Sequence, residues 1–331
     1  MKNSIKILSL FLLLNFTVYT QSWNDSGFQK YNEQDIEGAI TDFNSTIYSN
    51  ANKEDKGFAY FYRGMCYKLL NKHYKAINDF SAVLKVRPNQ KAALKQRAYQ
   101  KCMISNLKGA IRDFNVLLEL DSSDQNSLFN RGVCFQNLLD YDAALKDYTA
   151  LIALDSEHAY VLNERAWCFY MKKEFTNAYH DVNAALTIDY NNIKARQIRA
   201  FIKEATGDTL DAILEYTHIL KIDNTVYNSY INRGLLYFKT GQYEKSLPDF
   251  NACIALDPTR GSAFYNRGLA YYFMKKYQRG CVDIYKAAYL GDKLAKQEVK
   301  KACGEKYNPY YFQGDAQTYL FGRESAVSMR L

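Results

Sequence analysis

The sequence predicts an all-α solenoid of about eight helix-turn-helix units closed by a C-terminal capping helix. Three observations predict it. First, N-R-G at Asn232, Arg233 and Gly234 returns at Asn266, Arg267 and Gly268, a step of 34 residues, and a fixed period of this length marks a repeat architecture. Second, the same step carried backwards finds a small residue at Gly64, Ala98, Gly132, Ala166, Ala200, Gly234 and Gly268, with no gap. Third, two more columns keep the register. Twelve residues after the small one stand Ala76, Ala110, Ala144, Ala178, Ala212, Ser246 and Gly280; four further on stand Phe80, Phe114, Tyr148, Val182, Tyr216, Phe250 and Ile284.

The residue types follow from packing two helices of about 14 residues against each other. A small residue on the first helix lets the second approach closely. The Ala of the second helix fills the facing contact, and an aromatic four residues later shares its face. Leu-Asp-Pro ends the second helix, since proline cannot continue one. Only Pro88 and Pro258 keep that stop; Ser122, Ser156, Tyr190 and Asn224 replace it, so those joints are expected to be less sharply set.

These motifs, N-R-G … A-I-x-D-F … L-D-P, resemble the tetratricopeptide repeat family over roughly residues 20–294. The resemblance implies a right-handed superhelix whose first helices line a concave groove. It also implies a non-catalytic scaffold, with no cofactor, that holds a protein or peptide. Fold alone does not define activity.

Taken in order, residues 1–20 carry a basic start (Lys2, Lys6) and a short apolar stretch from Ile7 to Leu14. The stretch is too short to span a bilayer comfortably, and the pattern reads as a cleaved secretory signal, with Gln21 as the new N-terminus. Residues 21–56 form a degenerate first repeat, with Trp23, Gly27, Ala39 and Phe43 at the repeat spacing. Phe43 to Phe80 is 37 residues, which places three extra residues in the joint within Ala51–Lys56. Seven regular units then fill 57–294. Asp292 is a plausible N-cap for a Lys-rich capping helix over 292–303, whose apolar residues are Leu294, Val299 and Ala302. Residues 304–331, with Tyr310, Tyr311 and Phe312, have no period and form a tail.

Composition sets bounds on function. Of 331 residues, 48% are hydrophobic and 24% charged, as in folded soluble proteins. The net charge of +8 comes without a basic run of five or more, which argues against a nucleic-acid partner. No membrane span remains once the signal is removed. The signal, with a composition rich in Asn, Lys, Tyr and Ile, points to export into the envelope of a Gram-negative bacterium, periplasmic or secreted.

Four constellations could carry function. The Arg column (Arg63, Arg97, Arg131, Arg165, Arg199, Arg233, Arg267) is answered sixteen residues later by Asp79, Asp113, Asp147, Asp181, Glu215, Asp249 and Asp283. Folding back at the mid-repeat turn makes this a ladder of structural ion pairs; the alternative, an anion site, needs unpaired Arg. Among seven cysteines, Cys66, Cys134 and Cys168 share one packed position, and Cys102 and Cys253 fall on helices. Cys281 and Cys303 straddle Gly291 at similar distances, so antiparallel helices bring them to one end. They form either a disulfide stapling the cap or two buried thiols. The odd count and the lack of C-x-x-C argue against a metal site. His73, His158, His180 and His218 are scattered and read as solvated. Ser105-x-x-Lys108 and Lys239-Thr240-Gly241 match pieces of a serine hydrolase motif set, but fall in separate turns.

The fourth is the groove implied by the resemblance. Its groove-facing positions hold Phe61, Lys68, Phe129, Tyr160, Asn163, Trp167, Tyr170, Tyr265 and Tyr272. Trp and Tyr make good interface anchors; the bland alternative is that they pack between repeats. The family's clamp for chaperone C-termini is not matched, since its Asn position holds Met65, Tyr99, Val133, Trp167, Phe201, Leu235 and Leu269. Two other classes stay open: an adaptor of an envelope assembly that uses the convex face or the tail, and an enzyme whose site leaves no motif.

Overall fold

A computed structural model describes residues 23–155 and 157–304. The expected signal segment, 1–20, and residues 305–331 of the tail lie outside the described residues. The described chain is all α-helix and turn, without a strand. It divides into two compact units at Lys172/Lys173.

The first unit contains α1 (23–32) and α2 (Ile36–Tyr48), then α3 (Lys53–Leu69), α4 (His73–Val86), α5 (Lys91–Met103) and α6 (Leu107–Leu120). It closes with α7 (Gln125–Asn137), α8 (Tyr141–Leu154) and α9 (Ala159–Met171). The second unit contains α10 (Phe175–Ile188), α11 (Ile193–Ala205), α12 (Thr209–Ile222), α13 (Tyr227–Lys239), α14 (Tyr243–Leu256), α15 (Gly261–Phe273), α16 (Tyr277–Tyr289) and α17 (Lys293–Cys303).

The columns read from the sequence are the core. Phe80, Phe114 and Tyr148 in the first unit, and Val182, Tyr216, Phe250 and Ile284 in the second, are sealed from solvent, as are the alanines before them. The aromatic seats directly on the small residue of the first helix. A Cβ added to Gly132 would sit 2.7 Å from the Tyr148 ring. In the last pair α15 and α16 come closer still, and a Cβ on Gly280 would lie 2.7 Å from the carbonyl oxygen of Gly268. That is why glycine replaces the usual Ala there.

Two joints recur. Within each pair the turn residue adopts positive φ: Asn71, Ser105 and Leu139 in the first unit, and Lys173, Gly207, Gly241 and Lys275 in the second. The next amide reaches back five residues, as Asn106 does to the Lys101 carbonyl at 2.8 Å and Asp140 to Phe135 at 2.9 Å. This left-handed C-terminal cap closes the first helix. Between pairs, the joints without proline are as sharp as those with it. α6, α8, α10, α12 and α14 all stop one residue before an extended aspartate: Asp121, Asp155, Asp189, Asp223 and Asp257. Each carboxylate accepts the amide two residues on, at 2.8–3.2 Å. The aspartate of Leu-Asp-Pro sets the stop, through a side-chain turn, and proline only reinforces it.

The three extra residues of the first joint do not form a loop. They lengthen α3 at its start, where Asn52 Oδ1 accepts the Asp55 amide at 2.8 Å and Glu54 and Asp55 occupy the first turn. That is a strong N-cap with favourable acidic charge. At the other end Asp292 caps α17 by accepting the Ala295 amide at 2.9 Å. Ala295, Val299, Ala302 and Cys303 are buried, while the lysines of α17 face water.

Candidate functional site

The arginines form the most regular polar feature. Arg63, Arg97 and Arg131 in the first unit, and Arg233 and Arg267 in the second, each grip the aspartate sixteen residues on with two parallel bonds of 2.6–3.0 Å. The third arm of each guanidinium turns to the preceding repeat. There Nη1 donates to Asn44, Ser81, Asn115, Thr149, Asn183, Thr217 or Asn251 at 2.6–3.3 Å, with Arg165 and Arg199 included. Arg63, Arg97, Arg131, Arg199, Arg233 and Arg267 therefore each tie their own second helix to the one before. Arg165 lies in the first unit and Asp181 in the second.

This polar column, one period ahead of the acids, was not singled out by sequence reasoning. Its signal was there: a short polar residue sixteen positions before every Arg except the first, where the extra residues make it nineteen. Burial pushes the Asp79 and Asp249 carboxyls up, against the pull of Arg63 and Arg233. With their arginines so engaged, these groups form a scaffold rather than an anion site.

Glu215 breaks the pattern usefully. One carboxylate oxygen takes Arg199 at 2.7 Å and the other takes Arg196 at 3.1 Å. Arg196 is 2% exposed, bonds the Tyr190 carbonyl and stacks 4.4 Å from the Tyr190 ring. Glu215 holds two arginines with its two oxygens, and Arg199 Nε is left without a partner. Glu at 215 and Tyr at 190 were the departures that could have signalled it.

The nine groove candidates separate by burial. Asn163, Tyr265 and Tyr272 are at most 3% exposed and offer no surface to a partner. The groove positions of α15 are turned into packing: the Tyr265 hydroxyl bonds Glu298 on α17, and the Tyr272 ring meets Tyr277 edge-on at 4.9 Å. Lys68 is half-buried and donates to Gln96 Oε1 at 2.9 Å. Four candidates lie on successive first helices of the first unit, Tyr160 exposed and Phe129, Trp167 and Tyr170 half-buried. Phe129 on α7 packs 5.1 Å from Tyr160 on α9, which is 56% exposed. Trp167 and Tyr170, on the same face of α9, stack at 5.4 Å.

Phe61, the ninth candidate, lines a cleft of about 490 Å³ in the first unit, together with Phe58, Tyr62, Asn24, Asp55 and Gln90. Asn24 is buried and donates from Nδ2 to the Asp55 carbonyl at 3.2 Å. Its Oδ1 and the Gln90 Oε1 are buried acceptors without a partner. An aromatic wall with two unmet acceptors suits a ligand that brings both apolar surface and N–H donors. The signal for Asn24 was the register of the first repeat: Asn24 stands three before Gly27, as Phe61 stands three before Gly64.

Of the histidines, His73 is half-buried, and its Nδ1 lies 2.8 Å from Oε1 of buried Gln100. Cys281 and Cys303 are joined by a disulfide, which ties α16 to α17; the other five cysteines stand as thiols. No helix among the described residues is long and apolar enough to cross a membrane.

Fold and surface together define an α-helical repeat scaffold. Three tetratricopeptide repeat models match residues 58–89, 135–192 and 227–260, and these stretches are tetratricopeptide repeats. Among solved structures, one from Parabacteroides merdae, a tetratricopeptide repeat protein, is 18% identical with a TM-score of 0.59. The match covers 74% of this chain and 97% of that one. The C-terminal part of a repeat protein from Cytophaga hutchinsonii is 17% identical at a TM-score of 0.60, covering 73% and 98%. PilF of Pseudomonas aeruginosa is 16% identical at 0.54, covering 64% and 96%. A comparison with curated protein sequences gives no match. At these identities the structures show the fold.

Proposed function

We propose that this chain is an exported, non-catalytic scaffold that binds a protein or peptide along the first helices of its repeats. The observation that carries the reading is the partly exposed aromatic face of α7 and α9, formed by Phe129, Tyr160, Trp167 and Tyr170. Aromatic rings with few torsions bury much area at little entropic cost. The cleft beside Phe61 supports the same reading, since a peptide backbone supplies the N–H donors that Asn24 and Gln90 lack. Export is supported by the basic and apolar start of the sequence and by the disulfide of α17, because disulfides persist in oxidising compartments.

A second reading has its own observation. Val282, Tyr285 and Tyr289 form an exposed apolar stripe along α16, on a second helix, as an adaptor that uses the convex face would present.

The test is capture of partners from envelope extract by residues 21–331, followed by affinity measurement with the purified partner. Trp167→Ala/Tyr170→Ala is expected to weaken binding at least tenfold, about 1.4 kcal/mol, and Val282→Ser/Tyr289→Ser to leave it unchanged. The reverse pattern would move the interface to α16 and overturn the first reading.

A further inference from the structure

The repeat geometry brings one pair of thiols together. On successive first helices, the position four past the small residue meets the position two past it on the next. Between α7 and α9 this contact is Cys168 Sγ to Gln136 Oε1 at 3.4 Å. Between α5 and α7 the same register sets Cys102 against Cys134, Sγ to Sγ, at 3.5 Å. In no other interval of the chain do both positions hold cysteine.

We propose that Cys102 and Cys134 are a second redox couple, which exchanges with a small-molecule disulfide to form a bond that clips α5 to α7. The two sulfurs must close to about 2.05 Å, a short approach for side chains already in contact. Cys102 is partly exposed and Cys134 is 2% exposed, so Cys102 meets the oxidant first. The hydrogen bond between the two sulfurs, in which either can donate, lowers the Cys102 thiol from its ordinary range and raises that of Cys134.

The steps balance with oxidised glutathione as the oxidant. Cys102 thiolate attacks one glutathione sulfur, breaking its disulfide and releasing one glutathione thiolate. Cys134 then loses its proton to solvent and attacks the Cys102 sulfur of the mixed disulfide, releasing the second. Two electrons pass from the pair to glutathione. Burial pushes the Cys66 and Cys253 thiols up to about 11 and about 12, so neither is the first nucleophile to meet the oxidant.

The experiment takes the purified full chain, reduces it, and equilibrates it with oxidised glutathione. The protein is then unfolded, alkylated and digested for mass spectrometry without reductant. The expected result is three alkylated cysteines out of seven, with a disulfide-linked peptide pair containing Cys102 and Cys134. Cys134→Ser is expected to retain glutathione on Cys102, and Cys102→Ser to leave Cys134 alkylatable; circular dichroism checks that both variants fold. Five alkylated cysteines with the Cys281–Cys303 bond intact would overturn the proposal. So would a glutathione adduct on Cys102 of the unmutated chain that never resolves to the cross-link. Neither outcome depends on whether the aromatic face of α7 and α9 binds a partner.

Discussion

Replacing Arg131 with Met tests what the arginine column contributes. Its guanidinium grips Asp147 with bonds of 2.9 and 2.6 Å, and its third arm reaches Asn115 at 2.8 Å. The Asp147 side chain is 5% exposed and that of Arg131 is 22% exposed. Removing the Arg leaves a buried carboxylate without its cation, a loss of about 3–5 kcal/mol when both partners are fully buried. The open edge of the guanidinium lets water replace part of it, which moves the expectation to about 2–3 kcal/mol. The Asn115 bond between repeats adds about 1 kcal/mol. Arg131→Met should therefore cost roughly 3–4 kcal/mol, concentrated in α7 and α8. The double change Arg131→Met/Asp147→Leu should recover more than half, because no buried charge remains. Hydrogen exchange resolved by helix is the assay of choice, since a repeat array need not unfold in two states. A cost below about 0.5 kcal/mol for the single change, or a double variant as unstable as the single, would refute the argument.

Two further predictions rest on a helix contact and on the joints. Gly280→Ala drives a Cβ into the Gly268 carbonyl at 2.7 Å. Backbone cannot yield as a side-chain tip does, so a loss of about 1–3 kcal/mol is expected by urea unfolding; an unchanged midpoint would count against close packing of α15 on α16. Hydrogen bonds from Ser123, Thr225 and Thr259 hold the Asp121, Asp223 and Asp257 carboxyls below their usual range. A folded-state value below the unfolded one means stability that is present above about pH 4 and is lost as pH falls through the depressed values. Changing all three to Asn keeps the acceptor without the titration. The variant should match the parent near neutrality and show a flatter acid limb; an identical acid limb would sink the assignment.

The sequence by itself determined the repeat, its period and its core. Each unit has to bury the same three columns, so the small residue, the Ala and the aromatic recur with a spacing that survives every other change. It also marked the arginines and their acids, because a charge pair held sixteen residues apart constrains both ends. What it misjudged was the joint. Proline is conspicuous, yet Asp121, Asp155, Asp189 and Asp223 stop their helices without it, through a local bond that any aspartate at that place can make.

Only the tertiary structure decided which face residues are surface. Tyr265 and Tyr160 are both aromatics at groove positions, but the capping helix α17 brings Glu298 to the Tyr265 hydroxyl and seals it, while Tyr160 stays open. Burial depends on what packs above a residue, and that neighbour lies about one period away in the chain. The same holds for the Asn24 cleft and the Cys102–Cys134 contact. Each depends on side chains meeting across successive repeats, where the period gives the address and the packing gives the distance.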